Sequence, residues 1–144
     1  MIGKLISSLL LVTVVLTGLS CSKNNNNSTS NDSISSVLTQ GTWKVQQYLN
    51  ETTDETTTYN PYVFTFNTNG SMYAVNGTDT TTGTWTEVLD SNKRKFMLKW
   101  NGGGIPVLLL QIEEDWLLTS KSSTMIQLMD QSMNNNDVLH FQKQ

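Results

Sequence analysis

Residues 62–75 read Tyr62-Val63-Phe64-Thr65-Phe66-Asn67-Thr68-Asn69-Gly70-Ser71-Met72-Tyr73-Ala74-Val75. Tyr62, Phe64 and Phe66 alternate with Val63, Thr65 and Asn67. A period of two puts each set of side chains on one face of a strand. Asn69-Gly70 then separates this run from residues 71–75. Asn-Gly between two apolar runs predicts a tight hairpin, because both residues tolerate the left-handed backbone that such turns need.

The same period extends in both directions. Trp43 and Val45 alternate with Thr42 and Lys44, and Phe96, Leu98 and Trp100 alternate with Met97 and Lys99. Polar turn signals fall at Asp90-Ser91-Asn92, Glu113-Glu114-Asp115, Ser122-Ser123 and Asn134-Asn135-Asn136-Asp137. Strands are therefore expected at 42–49, 62–67, 71–75, 83–88, 95–100, 107–112, 116–120, 125–130 and 138–142. A single helical turn is expected near Ser35–Leu38. Short, evenly spaced strands joined by polar turns define an all-β, antiparallel sandwich or barrel.

The chain has 144 residues, a formal net charge of −3 and a sequence pI near 4.9. A general nucleic-acid binder needs a Lys/Arg surplus to neutralise phosphates, so no nucleic-acid partner is expected. Lys93-Arg94-Lys95 is too short to form a basic patch alone. A single Cys excludes an internal disulfide and a Cys-based zinc site, and a single His excludes a multi-His metal centre. No metal and no cofactor are expected.

The first residues are Met1-Ile2-Gly3-Lys4, followed by an apolar stretch of about 15 residues that ends in small residues, which is the layout of a secretory signal. A spanning helix would need roughly 20 apolar residues. The end of the segment, Gly18-Leu19-Ser20-Cys21, resembles the signal of bacterial lipoproteins, especially the bacteroidete type. In that family the cysteine thiol takes a diacylglycerol and the new N-terminus takes a third acyl chain. Gly18 departs from the commoner Leu at that position. The resemblance implies a signal peptide over residues 1–20, a lipidated Cys21 and a membrane partner reached through that anchor. Residues 21–37, rich in Asn and Ser, have almost nothing to bury and are expected to form a flexible tether. Ser22-Lys23-Asn24-Asn25 lacks the acidic cluster that sends some relatives to the cell surface, which favours an outer-membrane site facing the periplasm. Asp32-Ser33-Ile34 resembles an O-glycosylation site of exported proteins, and its alternative is plain linker.

From residue 38 to residue 144 the chain resembles the small lipocalin-like domains of exported bacterial lipoproteins. Gly41-Thr42-Trp43 opens the first strand, and Phe64-Thr65-Phe66-Asn67-Thr68-Asn69-Gly70 follows. Gly83-Thr84-Trp85, Trp116-Leu117-Leu118-Thr119 and Leu139-His140-Phe141-Gln142-Lys143 complete the order. The resemblance implies an up-and-down β-barrel of about eight strands and no single activity. Trp43, Phe64, Phe66, Tyr73, Trp85, Trp100 and Trp116 form the expected inward set, together with Phe96. A barrel of this size is either filled by its own side chains or holds one small ligand. Two functions stand open accordingly. One is capture of a small apolar or amphipathic molecule by those rings. The other is a filled barrel that docks on an envelope protein, for which the Thr-rich stretches 52–58 and 78–86 offer contact edges. Asn101-Gly102-Gly103-Gly104-Ile105-Pro106 reads as a loose connection or a binding lid.

Catalysis is not expected. His140 alternates with Leu139 and Phe141 and so faces away from them. Glu113-Glu114-Asp115 lies at a turn, and no nucleophile elbow or His-Glu-x-x-His is present.

Overall fold

A computed structural model describes residues 33–130, 132 and 136–144. The expected signal peptide, Cys21 and the expected tether up to residue 32 lie outside the described residues. The chain forms helix α1 (Ser35–Leu38) and strands β1 (Thr42–Asn50) and β2 (Thr53–Asp54), followed by a 3-10 turn (Thr56–Tyr59). Strands β3 (Tyr62–Phe66), β4 (Ser71–Asn76), β5 (Asp79–Asp90) and β6 (Lys93–Trp100) follow. Helix α2 (Val107–Gln111) then precedes β7 (Asp115–Lys121), β8 (Met125–Met129) and β9 (Val138–Lys143).

All pairings are antiparallel, and β9 returns to β1 from Trp43↔Lys143 to Leu49↔Val138. The result is a closed eight-stranded barrel, with β2 as a two-residue spur on β1. Closure removes the free edges that an open sheet would expose. Alternation places Trp43, Val45, Phe64, Phe66, Trp85, Phe96, Leu98, Trp116, Leu118, Leu139 and Phe141 in the buried core. The expected period-two pattern therefore holds on nearly every strand.

Three expectations need correction. Residues 107–111 form α2, where a strand over 107–112 was expected. Pro106 precedes the run, and Leu109 and Ile112, three residues apart, are the positions that become buried. A short apolar run is compatible with either period, and length alone does not decide it. Secondly, Tyr73 does not point inward: it is 37 % exposed, and its neighbours Met72 and Ala74 face the core. The β3–β4 loop has three residues, with Gly70 at φ +82° and an Asn67 N–H···O=C Ser71 bond of 2.9 Å. That length pairs Phe66 with Met72. A two-residue Asn69-Gly70 turn would have paired Phe66 with Tyr73, and a one-residue shift reverses every side chain of the strand. Thirdly, the packed domain begins before residue 38. Ile34 and Leu38 are fully buried, so residues 33–37 belong to the domain and not to the tether.

Candidate functional site

The interior of the barrel is where a ligand would sit, and its geometry follows from how the ends are closed. The near end carries the β3–β4, β5–β6 and β7–β8 turns and the entry of the chain through α1. The distal end carries the connections after β1, β4, β6 and β8. At the near end Ile34 and Leu38 plug the mouth, and the Trp43 indole N–H donates to the Leu38 carbonyl at 2.8 Å.

At the distal end the wall has two seams. Strand β1 pairs with β3 only at Thr42↔Thr65 and Trp43↔Phe64, and β6 pairs with β7 only over Lys95–Met97. The 3-10 turn packs beside the first seam, where the Tyr48 N–H donates to the Thr56 hydroxyl at 2.9 Å. Residues 113–114 cover the second. There the Trp100 N–H, lacking a strand partner, donates to the Glu113 carboxylate at 2.8 Å. Helix α2 fills the mouth between them with Leu109 and Ile112. It is clamped by aromatic donors: Trp100 Nε1 to the Leu109 carbonyl (2.7 Å), the Tyr59 hydroxyl to the Leu108 carbonyl (2.7 Å) and the Tyr48 hydroxyl to the Gln111 carbonyl (3.3 Å).

Between the plugs the rings pack on one another. Phe64 and Phe66 lie 5.3 and 5.6 Å from Phe141 (ring centroids), Phe66 lies 5.8 Å from Phe96, and Trp85 lies 6.3 Å from Phe66. The steep interplanar angles, 71° and 80° at Phe141, are the edge-to-face arrangement that the ring quadrupole favours. All four Trp N–H groups are bonded to backbone carbonyls, with Trp85 on Asn67 and Trp116 on Ile112, both at 3.0 Å. Buried polar tips that are already satisfied gain nothing by meeting a ligand. Trp43, Phe64, Phe66, Trp85, Trp100 and Trp116 are thus brought together as core, and Tyr73 stands apart on the outer wall.

Hollows among the described residues open on the outer surface. One of about 650 Å³ lies at Gln46, Gln47, Asp54, Thr56 and Thr57, and one of about 520 Å³ lies between Asp90, Lys95, Glu114 and Asp130. Trp85 borders one, of about 410 Å³, beside Thr84, Met97 and Glu114. Among the described residues there is no group of three His, Cys, Asp or Glu able to hold a metal ion, and no helix long and apolar enough to cross a membrane. His140 is half-buried between strands, and burial holds its imidazole below the usual histidine range.

Sequence alternation missed the parts that close the ends. Tyr48, Tyr59, Leu109 and Ile34 are fully buried, and Tyr59 and Ile34 belong to no strand. The signal for α2 was present in Pro106 before an apolar run, since proline favours the start of a helix. Two predictions follow from the plug. Leu109→Ala is expected to cost about 2–5 kcal/mol. Its void should stay dry and admit benzene, as apolar cavities do. Urea unfolding followed by Trp fluorescence reads the loss, and a raised melting temperature under saturating benzene reads the void.

Alkaline stability is the second. Burial first, then the carboxylates of Asp137, Glu55 and Glu114, push the Tyr48 hydroxyl up to about 12. Burial likewise raises Tyr59 well above its ordinary value. In the unfolded chain both ionise near pH 10. Between pH 10 and 12 the unfolded state therefore binds fewer protons than the native one, and stability falls as pH rises. Denaturation curves at pH 9, 10 and 11 should show full stability at the first and a progressive loss at the others. Tyr48→Phe and Tyr59→Phe together should flatten that dependence.

No protein-family model and no curated protein matches the sequence. Among solved structures, a DUF4847-family protein from Bacteroides vulgatus is similar, with a TM-score of 0.56 and 14 % identity, covering 78 % of this chain and 99 % of that one. A protein from Burkholderia xenovorans, solved by NMR, aligns over 99 % of both chains at 15 % identity with a TM-score of 0.48. The first likeness is one of fold, and it agrees with a small antiparallel barrel.

Proposed function

We propose that this chain is a lipid-anchored protein of the bacterial cell envelope whose filled barrel works through its outer surface, docking on an envelope protein without catalysis. The observation that carries the docking half is the interior: rings occupy it, and α1 and α2 close both mouths. A lipocalin-like ligand site needs an open end, so capture of a small apolar molecule is the weaker of the two functions. The anchor half rests on the resemblance of Gly18-Leu19-Ser20-Cys21 to lipoprotein signals, and the expected site is the outer membrane facing the periplasm.

Native mass spectrometry of the detergent-extracted protein tests both halves. The expected mass is that of a chain beginning at an acylated Cys21, with nothing else retained. A stoichiometric small molecule released on unfolding would overturn the filled barrel. Cys21→Ser should lose the acyl mass and leave the membrane fraction; a variant that stays membrane-bound would overturn the anchor.

A further inference from the structure

The distal plug has a second face. Helix α2 buries Leu109 and Ile112 but turns Val107 and Leu110 outward, 74 % and 46 % exposed. Ile105 and Leu108 lie partly buried beside them. Strands expose Tyr73, Val88, Leu89 and Met129 as well, but Val107 is the most exposed large apolar side chain among the described residues, and with Leu110 it makes an apolar knob at one pole. Removing it would cost the fold little, because the plugging side chains are on the opposite face.

The connections around the knob are acidic. The distal connections hold Glu51, Asp54, Glu55, Glu113, Glu114 and Asp137, and their sequences contain no Lys or Arg. Asp115 and Asp130 flank them. Lys121 and Lys143 finish β7 and β9 at the other end, while Lys99 borders a hollow with Glu113, Glu114 and Asp115, and Lys93 and Lys95 border one with Glu114 and Asp130. Several of these carboxylates crowd the residues under α2. Glu114 is held above the usual carboxylate range by burial and then by Asp130, Asp115, Asp137 and Glu113. An excess of like charge this close costs stability, which further positive charge from a partner would offset.

Position along the barrel points the same way. The described chain enters at the near mouth, at Ser33, twelve positions after Cys21. A tilted strand the length of β1 puts about 23 Å between the two ends. The knob lies at the end of the barrel opposite the chain's entry, and its acidic connections would be repelled by anionic head groups.

We infer that this pole docks on a protein offering an apolar pocket rimmed with Lys and Arg. The inference rests on the reading of the barrel as an anchored docking module. Val107 and Leu110 would fill the pocket, and the carboxylate ring would orient the approach.

The test uses the full-length, anchored protein in the producing bacterium, with a photo-crosslinking amino acid placed at Val107 or, separately, at Tyr73. The expected result is one discrete adduct from position 107 and none from 73. The crosslinked partner peptide, sequenced, should be apolar and flanked by Lys or Arg. Glu114→Lys with Asp115→Lys should cut the yield at least tenfold, and so should Leu110→Ser, which leaves the charge untouched. An adduct with lipid or with a second copy of this chain overturns the inference, as does a yield indifferent to both sets of changes. An adduct from Tyr73 but not from 107 overturns the inference and leaves the docking module standing. Silence at both positions sinks the two together.

Discussion

Gly83→Val is expected to lower the stability of the barrel by about 3 kcal/mol or more, a large share of the ordinary margin of about 5–15 kcal/mol for a folded domain. Gly83 is buried on the inward face of β5, opposite Met72 on one side and Trp100 on the other. A Cβ there would lie 2.5 Å from the Met72 methyl, 2.6 Å from the Lys99 carbonyl oxygen and 3.0 Å from the Trp100 ring. The methionine has room to swing, but the carbonyl belongs to the neighbouring strand and moves only if the ladder does. Valine adds two further methyl groups to the same space. Gly103→Ala is the matched control. Nothing lies within 4 Å of its Cβ and its φ is not left-handed, so the change should be neutral or stabilising by about 0.4–1 kcal/mol through the unfolded state. Urea unfolding monitored by Trp fluorescence separates the two. A Gly83→Val protein that melts with the native one would mean that β5 does not pass this close to β6.

The contrast between these glycines shows what a sequence can and cannot disclose. Gly83-Thr84-Trp85 stood out as the second Gly-x-Trp, but the reason for a glycine lies in Lys99 and Trp100, on another strand. Alternation is local, so Trp43, Phe64, Phe96 and Phe141 declare their face within a few residues of chain. Register is not local. Whether Tyr73 or Met72 faces the core hinges on one extra loop residue and on Gly70 at positive φ. The larger ring is the natural guess, and it is the wrong one here. Strand β5 begins at Asp79, four residues before the expected start, because Asn76↔Asp79 closes a two-residue turn at Gly77-Thr78. The polar threonines of residues 80–82 gave no apolar alternation to mark it. The plugs were least legible of all. A segment fills a mouth by its fit to distant side chains, and Tyr59 meets α2 across 49 residues of chain. The choice between a filled and an open barrel, left unresolved by composition, turns on those two short helices.

The second large effect is expected at the near plug, from Glu87→Ala. Glu87 follows Trp85 on the inward row of β5, where a lone carboxylate would be costly to bury. It is nearly buried, and its oxygens accept from the Ser33 hydroxyl (2.8 Å), the Ile34 N–H (2.8 Å) and the Ser35 N–H (3.3 Å). Arg94 Nε stands 3.2 Å away as its ion-pair partner. The N–H groups at the start of a helix lack intrahelical acceptors, and a carboxylate satisfies both their hydrogen bonds and their partial positive charge. Lys121 fixes the same segment from the other side, donating to the Ser33 carbonyl. Alanine at 87 strips these donors of their acceptor and leaves the Arg94 charge without this carboxylate, a loss of about 3–5 kcal/mol. Glu87→Gln, which keeps an acceptor but not the charge, should cost less. Glu87→Leu combined with Arg94→Leu should recover much of the deficit, since an apolar pair of similar volume often matches a buried ion pair. Hydrogen exchange supplies the local readout: amide protection at Ile34 and Ser35 should vanish in Glu87→Ala before the barrel strands lose theirs. If the alanine protein unfolds within about 0.5 kcal/mol of the native one, the range of an ordinary surface change, then this carboxylate does not hold the plug. The near mouth would then be open, and a ligand inside the barrel would regain its claim.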